Sequence, residues 1–214
     1  LKNSSFFMKE ILKGIKNIIF DLGEVIVDLD ISATEKAFAE LLPLNNNSIY
    51  SYSTQTRVFD LLETGKISPQ EFRNELRKLS SSDMTDEQID IAWNAMLIEI
   101  PKRKIDLVQN LRLSYQTFVL SNTNKIHIDY VNAKLLPPLA LLDLSEVFDQ
   151  VYYSHDIRER KPDDAAFTYV LNKHELNPTE TLFIDDKLEN IETAQKLGIK
   201  TWHLTNREDL YELL

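Results

Sequence analysis

Asn17-Ile18-Ile19-Phe20-Asp21-Leu22-Gly23-Glu24-Val25-Ile26 is an apolar run that ends in an acid and continues through a glycine. Such a run predicts a buried parallel strand that delivers the Asp21 carboxylate to the C-terminal edge of a sheet, where open α/β sheets bind their ligands. Three later segments carry complementary chemistry. Ser121 follows Thr117-Phe118-Val119-Leu120, Lys161 precedes Pro162, and Asp185-Asp186 closes Thr181-Leu182-Phe183-Ile184. A carboxylate nucleophile, a hydroxyl, a lysine and an acid pair are the parts of metal-assisted phosphoryl transfer through an aspartyl-phosphate.

The rest of the pattern fits a doubly wound sheet. Apolar runs at Asn17–Asp21, Thr117–Ser121, Gln150–Ser154, Thr181–Asp185 and Lys200–Leu204 predict five strands. Ile105, Leu107, Val108 and Leu111 recur at helical spacing, as do Ala165, Ala166, Val170 and Leu171, and then Ile191, Ala194 and Leu197 before a C-cap at Gly198. Alternating strands and helices imply an α/β, doubly wound parallel sheet with a Rossmann-like core. Residues 29–101 break the alternation. Ser68-Pro69-Gln70-Glu71 and Thr85-Asp86-Glu87-Gln88 are capping boxes, Gly65 ends a helix holding Val58, Leu61 and Leu62, and no strand is expected. This stretch predicts an all-helical cap inserted into a core of residues 1–28 and 102–214, with Leu44–Ser48 a loop within it and hinges near residues 28–30 and 99–102.

Composition narrows the function. A chain of 214 residues, 43% hydrophobic and 27% charged, suits one globular core with a modest insertion. The net charge of −10 argues against nucleic acid, whose phosphates require clustered Lys and Arg. A small anionic substrate stays compatible if a lysine and a metal ion reverse the local field. The absence of cysteine excludes a disulfide scaffold, a thiolate nucleophile and a Cys-based zinc site. No apolar run approaches membrane-spanning length, and residues 1–14 lack the apolar core of a signal peptide. The expected setting is the cytosol, with no membrane partner; no feature sets an oligomeric state.

Taken singly, these residues have ordinary structural explanations. Asp21 suits a turn after a strand, Ser121 a helix N-cap, Lys161 a solvated basic run, and Asp185-Asp186 a helix N-terminus favoured by the macrodipole. The acid pair is the strongest departure, because adjacent carboxylates closing an apolar strand repel each other unless a cation sits beside them. Glu189 and Asn190 follow within one turn and are placed to support such a site. His127, His155, His174 and His203 form no ligand-spaced cluster, and Trp93 and Trp202 are expected to serve packing.

Phe20-Asp21-Leu22-Gly23-Glu24-Val25, Leu120-Ser121-Asn122, Arg160-Lys161-Pro162 and Phe183-Ile184-Asp185-Asp186 resemble, in order, the four motifs of the haloacid dehalogenase superfamily. The nearer likeness is to its glucose-1-phosphate phosphatase-like branch, which shares the Asp-Leu-Gly, Ser-Asn-Thr-Asn and Arg-Lys-Pro segments. The resemblance implies that Asp21 is nucleophile and Mg²⁺ ligand, and that the Gly23 carbonyl and Asp186 also ligate, with Asp185 a further direct or water-mediated ligand. It implies that Ser121 and the Asn122 N–H hold phosphoryl oxygens and that Lys161 balances charge between phosphoryl group and Asp21. The implied activity is a Mg²⁺-dependent phosphatase of small phosphorylated metabolites, with sugar phosphates foremost. The alternatives are a metal-free 2-haloacid dehalogenase and a catalytically silent phosphometabolite-binding protein. Two positions depart from the pattern. Gly23 stands where the phosphatases usually carry the aspartate that protonates the leaving group, and Arg158 stands where this branch commonly has glycine.

Overall fold

The structure is a computed structural model, and it describes residues 10–41, 57–80 and 83–213. Five parallel strands form the central sheet: β1 (Asn17–Phe20), β4 (Gln116–Ser121), β5 (Gln150–Tyr153), β6 (Thr181–Asp185) and β7 (Lys200–His203). Their order is β5-β4-β1-β6-β7, so the chain winds outward from β1 in both directions. All five expected strands form. Phe20 pairs with Val119 on one side and Ile184 on the other. That register places Asp21 level with Asp185 and one residue short of Ser121, all at one edge.

Alternation along the strands divides the core between the two sheet faces. Ile18, Phe20, Val119, Leu182 and Ile184 pack on one face with α5 (Lys102–Leu111) and the 3₁₀ segment Arg207–Leu213. Ile19, Phe118, Leu120 and Phe183 pack on the other with α8 (Asp164–Lys173) and α9 (Leu188–Lys196). Both faces are covered, so the strands have no solvent-facing side and carry near-continuous apolar runs.

Between β1 and α5 lie helices α1 (Ile31–Leu41), α2 (Arg57–Glu63), α3 (Pro69–Ser80) and α4 (Asp86–Asn94). They enclose their own core around Trp93, whose ring lies 4.8 Å from Phe59, 6.0 Å from Phe72 and 6.4 Å from Phe38. The capping boxes act as expected. The Ser68 amide donates to Glu71 Oε2 (2.7 Å) while the Glu71 amide donates to Ser68 Oγ, and Thr85 and Gln88 exchange the same pair of bonds. The expectation of no strand fails at the ends of this stretch. β2 (Asp28–Leu29) and β3 (Leu97–Glu99) pair antiparallel. Two- and three-residue strands are too short to show period-two alternation, and what defines them is their pairing with each other. The ribbon sets the two chain crossings side by side, where the Lys104 ammonium, itself buried, bonds Asp28 at 2.6 Å. The loop expected at Leu44–Ser48 lies outside the described residues.

Two left-handed residues sit where this helical layer meets the core. Gly65 (φ +61) follows α2, and a Cβ there would overlap the carbonyl oxygen of His155 in α7 (Ser154–Ile157). Arg158 caps α7 with φ 61, a left-handed backbone conformation that favours glycine. Gly65→Ala is expected to cost about 1–2 kcal/mol from the left-handed backbone alone, or roughly 2–8 °C in Tm. Gly14 (φ +75) has open space around its Cα, so Gly14→Ala isolates the backbone cost. Thermal melts should show the larger loss for Gly65→Ala; equal losses would remove the packing argument.

Candidate active site

At the C-terminal edge of the sheet, Asp21 directly follows β1, and β4 ends at Ser121 and β6 at Asp185. Lys161 comes from the loop between α7 and α8, and its side chain is 1% exposed. Its ammonium bonds Asp21 Oδ1 at 2.7 Å and Asp185 Oδ2 at 2.6 Å. A solvated basic patch is therefore excluded. Burial works against the charge of Lys161, but Asp185 and Asp21 together outweigh it and raise its pKa, so the ammonium stays charged.

Asn122 has a role that its residue type alone did not reveal. Its side-chain amide donates to the Lys161 carbonyl (2.6 Å) and accepts from the Lys161 amide (2.9 Å). This two-bond clamp sets the backbone from which the ammonium projects, across 39 residues of sequence. The turn after Ser121 is rigid for a related reason. The Thr123 amide donates to Ser154 Oγ, and Asn124 Oδ1 accepts from the amides of Ile126 and His127 to cap α6 (Lys125–Tyr130). Ser121 itself is buried at 3% exposure and borders the cavity together with Asn122.

Ligand atoms of Asp21, Asp185 and Asp186 all lie within 4.8 Å of one another. Asp185 is fully buried and saturated with donors: Lys161 Nζ, the Lys187 amide (2.8 Å) and both contacts of the Asn190 amide (2.9 and 3.0 Å). Asp186 is partly exposed and borders the cavity. Burial, reinforced by Asp185, raises the pKa of Asp186. Burial likewise lifts Asp21 to about 7, against the pull of Lys161 and with added repulsion from Asp185 and Asp186. Lys161 bonds two of the three carboxylates and Lys187 acts on Asp186, so the site keeps surplus negative charge, and the donor set is all oxygen, which suits a hard divalent cation. His203 donates from Nε2 to the Asp186 carbonyl (2.9 Å) and steadies the same turn.

Above this edge lies a cavity of about 680 Å³. Gly23, Ser121, Asn122 and Asp186 line its core side, while Leu29, Ile31, Glu63, Trp93, Met96 and Leu97 line the helical side. His127 stacks on Trp93 at 4.5 Å, so Trp93 is a packing residue as expected, and it also forms part of the wall. Burial lowers the His127 pKa to about 4, leaving the ring neutral. Arg160, next to Lys161, pairs with Asp60 and with Glu63 (3.3 Å) of α2. Glu24 does not border the cavity; it faces Arg207 at 3.7 Å. Glu189 does border it, whereas Asn190 acts through Asp185. His155 holds the Thr123 carbonyl (3.2 Å), and His174 meets the Tyr152 hydroxyl, away from the site.

The shift on Asp21 carries a sign that can be tested. A carboxyl whose folded pKa is raised binds protons more tightly when folded, so its contribution to stability is present at low pH and lost as pH rises from about 4 to about 7. Asp21→Asn removes this penalty. In chelator, the stability of Asp21→Asn relative to the parent chain should grow from pH 4 to pH 8 and level off above Asp21's pKa. A difference that is flat or opposite in sign would show that Lys161 fully compensates the carboxylate.

Residues 18–204 match the family model described as haloacid dehalogenase-like hydrolase. The chain is 34% identical over 195 residues to D-ribitol-5-phosphate phosphatase of Bacteroides thetaiotaomicron, covering 91% of this chain and 94% of that one. Among solved structures, a HAD family enzyme of Bacteroides thetaiotaomicron, an aspartate-to-alanine variant in complex with magnesium and inorganic phosphate, aligns with TM-score 0.84 at 34% identity over 88% of this chain and 93% of that one. A HAD-like family hydrolase from Porphyromonas gingivalis aligns with TM-score 0.80 at 33% identity, over 88% and 90%.

Proposed function

Because the chain belongs to the haloacid dehalogenase-like hydrolases, we propose that it is a Mg²⁺-dependent phosphatase of small phosphorylated metabolites, sugar and polyol phosphates foremost, working in the cytosol. The observation that carries this reading is the trio Asp21, Asp185 and Asp186 around a single lysine. A dehalogenase working without metal would leave that surplus charge unbalanced. The relative named for D-ribitol 5-phosphate and the structure with magnesium and phosphate support the same choice.

In this reading Asp21, the Gly23 carbonyl and Asp186 would hold Mg²⁺, which would neutralise phosphoryl charge, and Asp185 would support the site. Asp21 attacks phosphorus through one oxygen as the P–O bond to the ester oxygen breaks and the alcohol leaves, and water then hydrolyses the aspartyl-phosphate, releasing inorganic phosphate and restoring the Asp21 carboxylate. Ser121, at the end of β4, and the N–H of Asn122, in the turn before α6, hold phosphoryl oxygens. Lys161, fixed by the Asn122 clamp, offsets the charge of the Asp21 carboxylate and the incoming phosphoryl group. Helices α1 to α4 act as a cap that shields the phosphoryl enzyme from bulk water, and the β2–β3 ribbon is the hinge.

Gly23 supplies no side-chain proton donor, and the nearby Glu24 is engaged with Arg207. Leaving groups should therefore depart with little protonation, and rates should rise steeply as leaving-group pKa falls, each ~1.4 kcal/mol counting about tenfold. Activity should vanish with chelator or in Asp21→Asn, and fall with weaker Mg²⁺ binding in Asp186→Ala. A series of phosphate esters graded by leaving-group pKa, assayed at saturating Mg²⁺, tests the dependence. Near-normal turnover by Asp21→Asn would overturn the mechanism. A flat series with chemistry rate-limiting would mean that a group of the cavity wall supplies the proton.

A further inference from the structure

The turn that follows Asp21 leaves one backbone acceptor free. The Leu22 carbonyl accepts from the amides of Ile26 (2.9 Å) and Val27 (2.8 Å), and the Val27 carbonyl accepts from the Glu24 amide (2.8 Å). The Gly23 carbonyl accepts no hydrogen bond among the described residues, and Gly23 borders the cavity, as does Asp186. A free backbone oxygen there suits a cation ligated by oxygen. Glu24, the next residue, is left-handed (φ 57), a conformation that glycine adopts at less cost. What a carboxylate brings to this position is Arg207. Its Nη1 lies 3.7 Å from Glu24 Oε2 and 3.4 Å from Asp28 Oδ2, so one side chain reaches both ends of the turn. The buried Lys104 holds the other oxygen of Asp28 at 2.6 Å. Arg207 opens the C-terminal 3₁₀ segment, which Leu210 and Leu213 anchor in the core. Just before it, the Leu204 amide donates to the Asp185 carbonyl (3.0 Å) and His203 bonds the Asp186 carbonyl. One stretch of chain, residues 203–213, thus holds the backbone of both acids at the end of β6 and the turn after Asp21.

We propose that Arg207 is a positioning residue for the metal site: by holding Glu24 and Asp28 it fixes the turn that presents the Gly23 carbonyl to the cation. This role rests on the Mg²⁺-dependent reading and adds to it a residue that touches neither metal nor substrate. The link is a single torsion. The φ of Glu24 turns the peptide plane that carries the Gly23 carbonyl, and a left-handed φ on a residue with a side chain tends to relax unless its surroundings hold it. Without Arg207 the Glu24 carboxylate loses its partner and the carbonyl loses its fixed direction. Groups that orient a metal ligand tune affinity for the metal without binding it themselves.

Titration calorimetry with Mg²⁺ alone, in the absence of substrate, tests this on the parent chain, Arg207→Gln, Glu24→Gln, the double variant and Arg112→Gln. The last is the control. Arg112 is as exposed as Arg207 (38% and 40%), but it pairs with Asp149 just ahead of β5, at the opposite edge of the sheet. Arg207→Gln and Glu24→Gln should each raise the Mg²⁺ Kd about three- to tenfold, between the effect of an exposed ion pair and that of a group bonded directly to a ligand. The double variant should stay within about twofold of the weaker single one, because the two residues act as a unit. Arg112→Gln should leave the Kd unchanged. Turnover lost by Arg207→Gln at low Mg²⁺ should return at saturating Mg²⁺, a recovery that a merely destabilised fold would not show. Glu24→Gln keeps the C-terminal segment intact and so tests the same link if Arg207→Gln fails to fold. An unchanged Kd in both single variants, additive losses in the double, or an equal rise in Arg112→Gln would overturn the role of Arg207 and leave the phosphatase reading standing. A parent chain that takes up no Mg²⁺ would overturn the metal reading and this role with it.

Discussion

The bond that the site depends on is the Lys161 ammonium held between Asp21 and Asp185. Burying Asp21 and Asp185 at one sheet edge, with the half-buried Asp186 beside them, is unfavourable, and burying an amine is too, yet each offsets the other's cost when hydrogen bonds complete the pairing. The surrounding structure supplies them. The Asn122 clamp fixes the lysine's backbone, and Asn190 with the Lys187 amide satisfies the remaining acceptors of Asp185. One lysine still leaves negative charge over, and that remainder is what a divalent cation would offset before an anionic phosphoryl group could approach.

The lysine also joins the core to the helical layer. Its neighbour Arg160 pairs with Asp60 and Glu63 of α2, and the turn after α2 presses Gly65 against the His155 carbonyl. The same α2 contributes Glu63 to the cavity wall. Position of the helical layer, shape of the cavity and orientation of the Lys161 loop are thus one mechanical system. At its other end the buried Lys104–Asp28 pair anchors the ribbon through which the chain enters and leaves that layer.

Gly23 and Arg158 become intelligible in three dimensions. A Cβ at Gly23 would come within 2.9 Å of Leu29 Cδ1, the end of a flexible side chain, so the backbone does not demand glycine there. The absent side chain is a chemical feature and not a steric necessity. Arg158 has the reverse character. Its left-handed backbone favours glycine, and no contact among the described residues explains the arginine.

Five strands, their parallel doubly wound arrangement and the residues at their ends were legible in the sequence, because a strand buried on both faces must be an apolar run and its polar terminus stands out; their order across the sheet was not. The caps of α3 and α4 were legible for the same local reason, since Ser68 and Thr85 satisfy amides three residues away. The four segments also carried the family resemblance. What only the tertiary structure decided is pairwise and distant. Lys161 had the look of a solvated basic residue until the fold buried it among carboxylates 24 and 140 residues away. Asn122's hold on Lys161, the pairing of β2 with β3, and Glu63's position in the cavity wall leave no periodic or local trace. Local hydrogen bonds and hydrophobic period write themselves into neighbouring residues; long-range electrostatics exist only once burial strips away the water that would otherwise screen them.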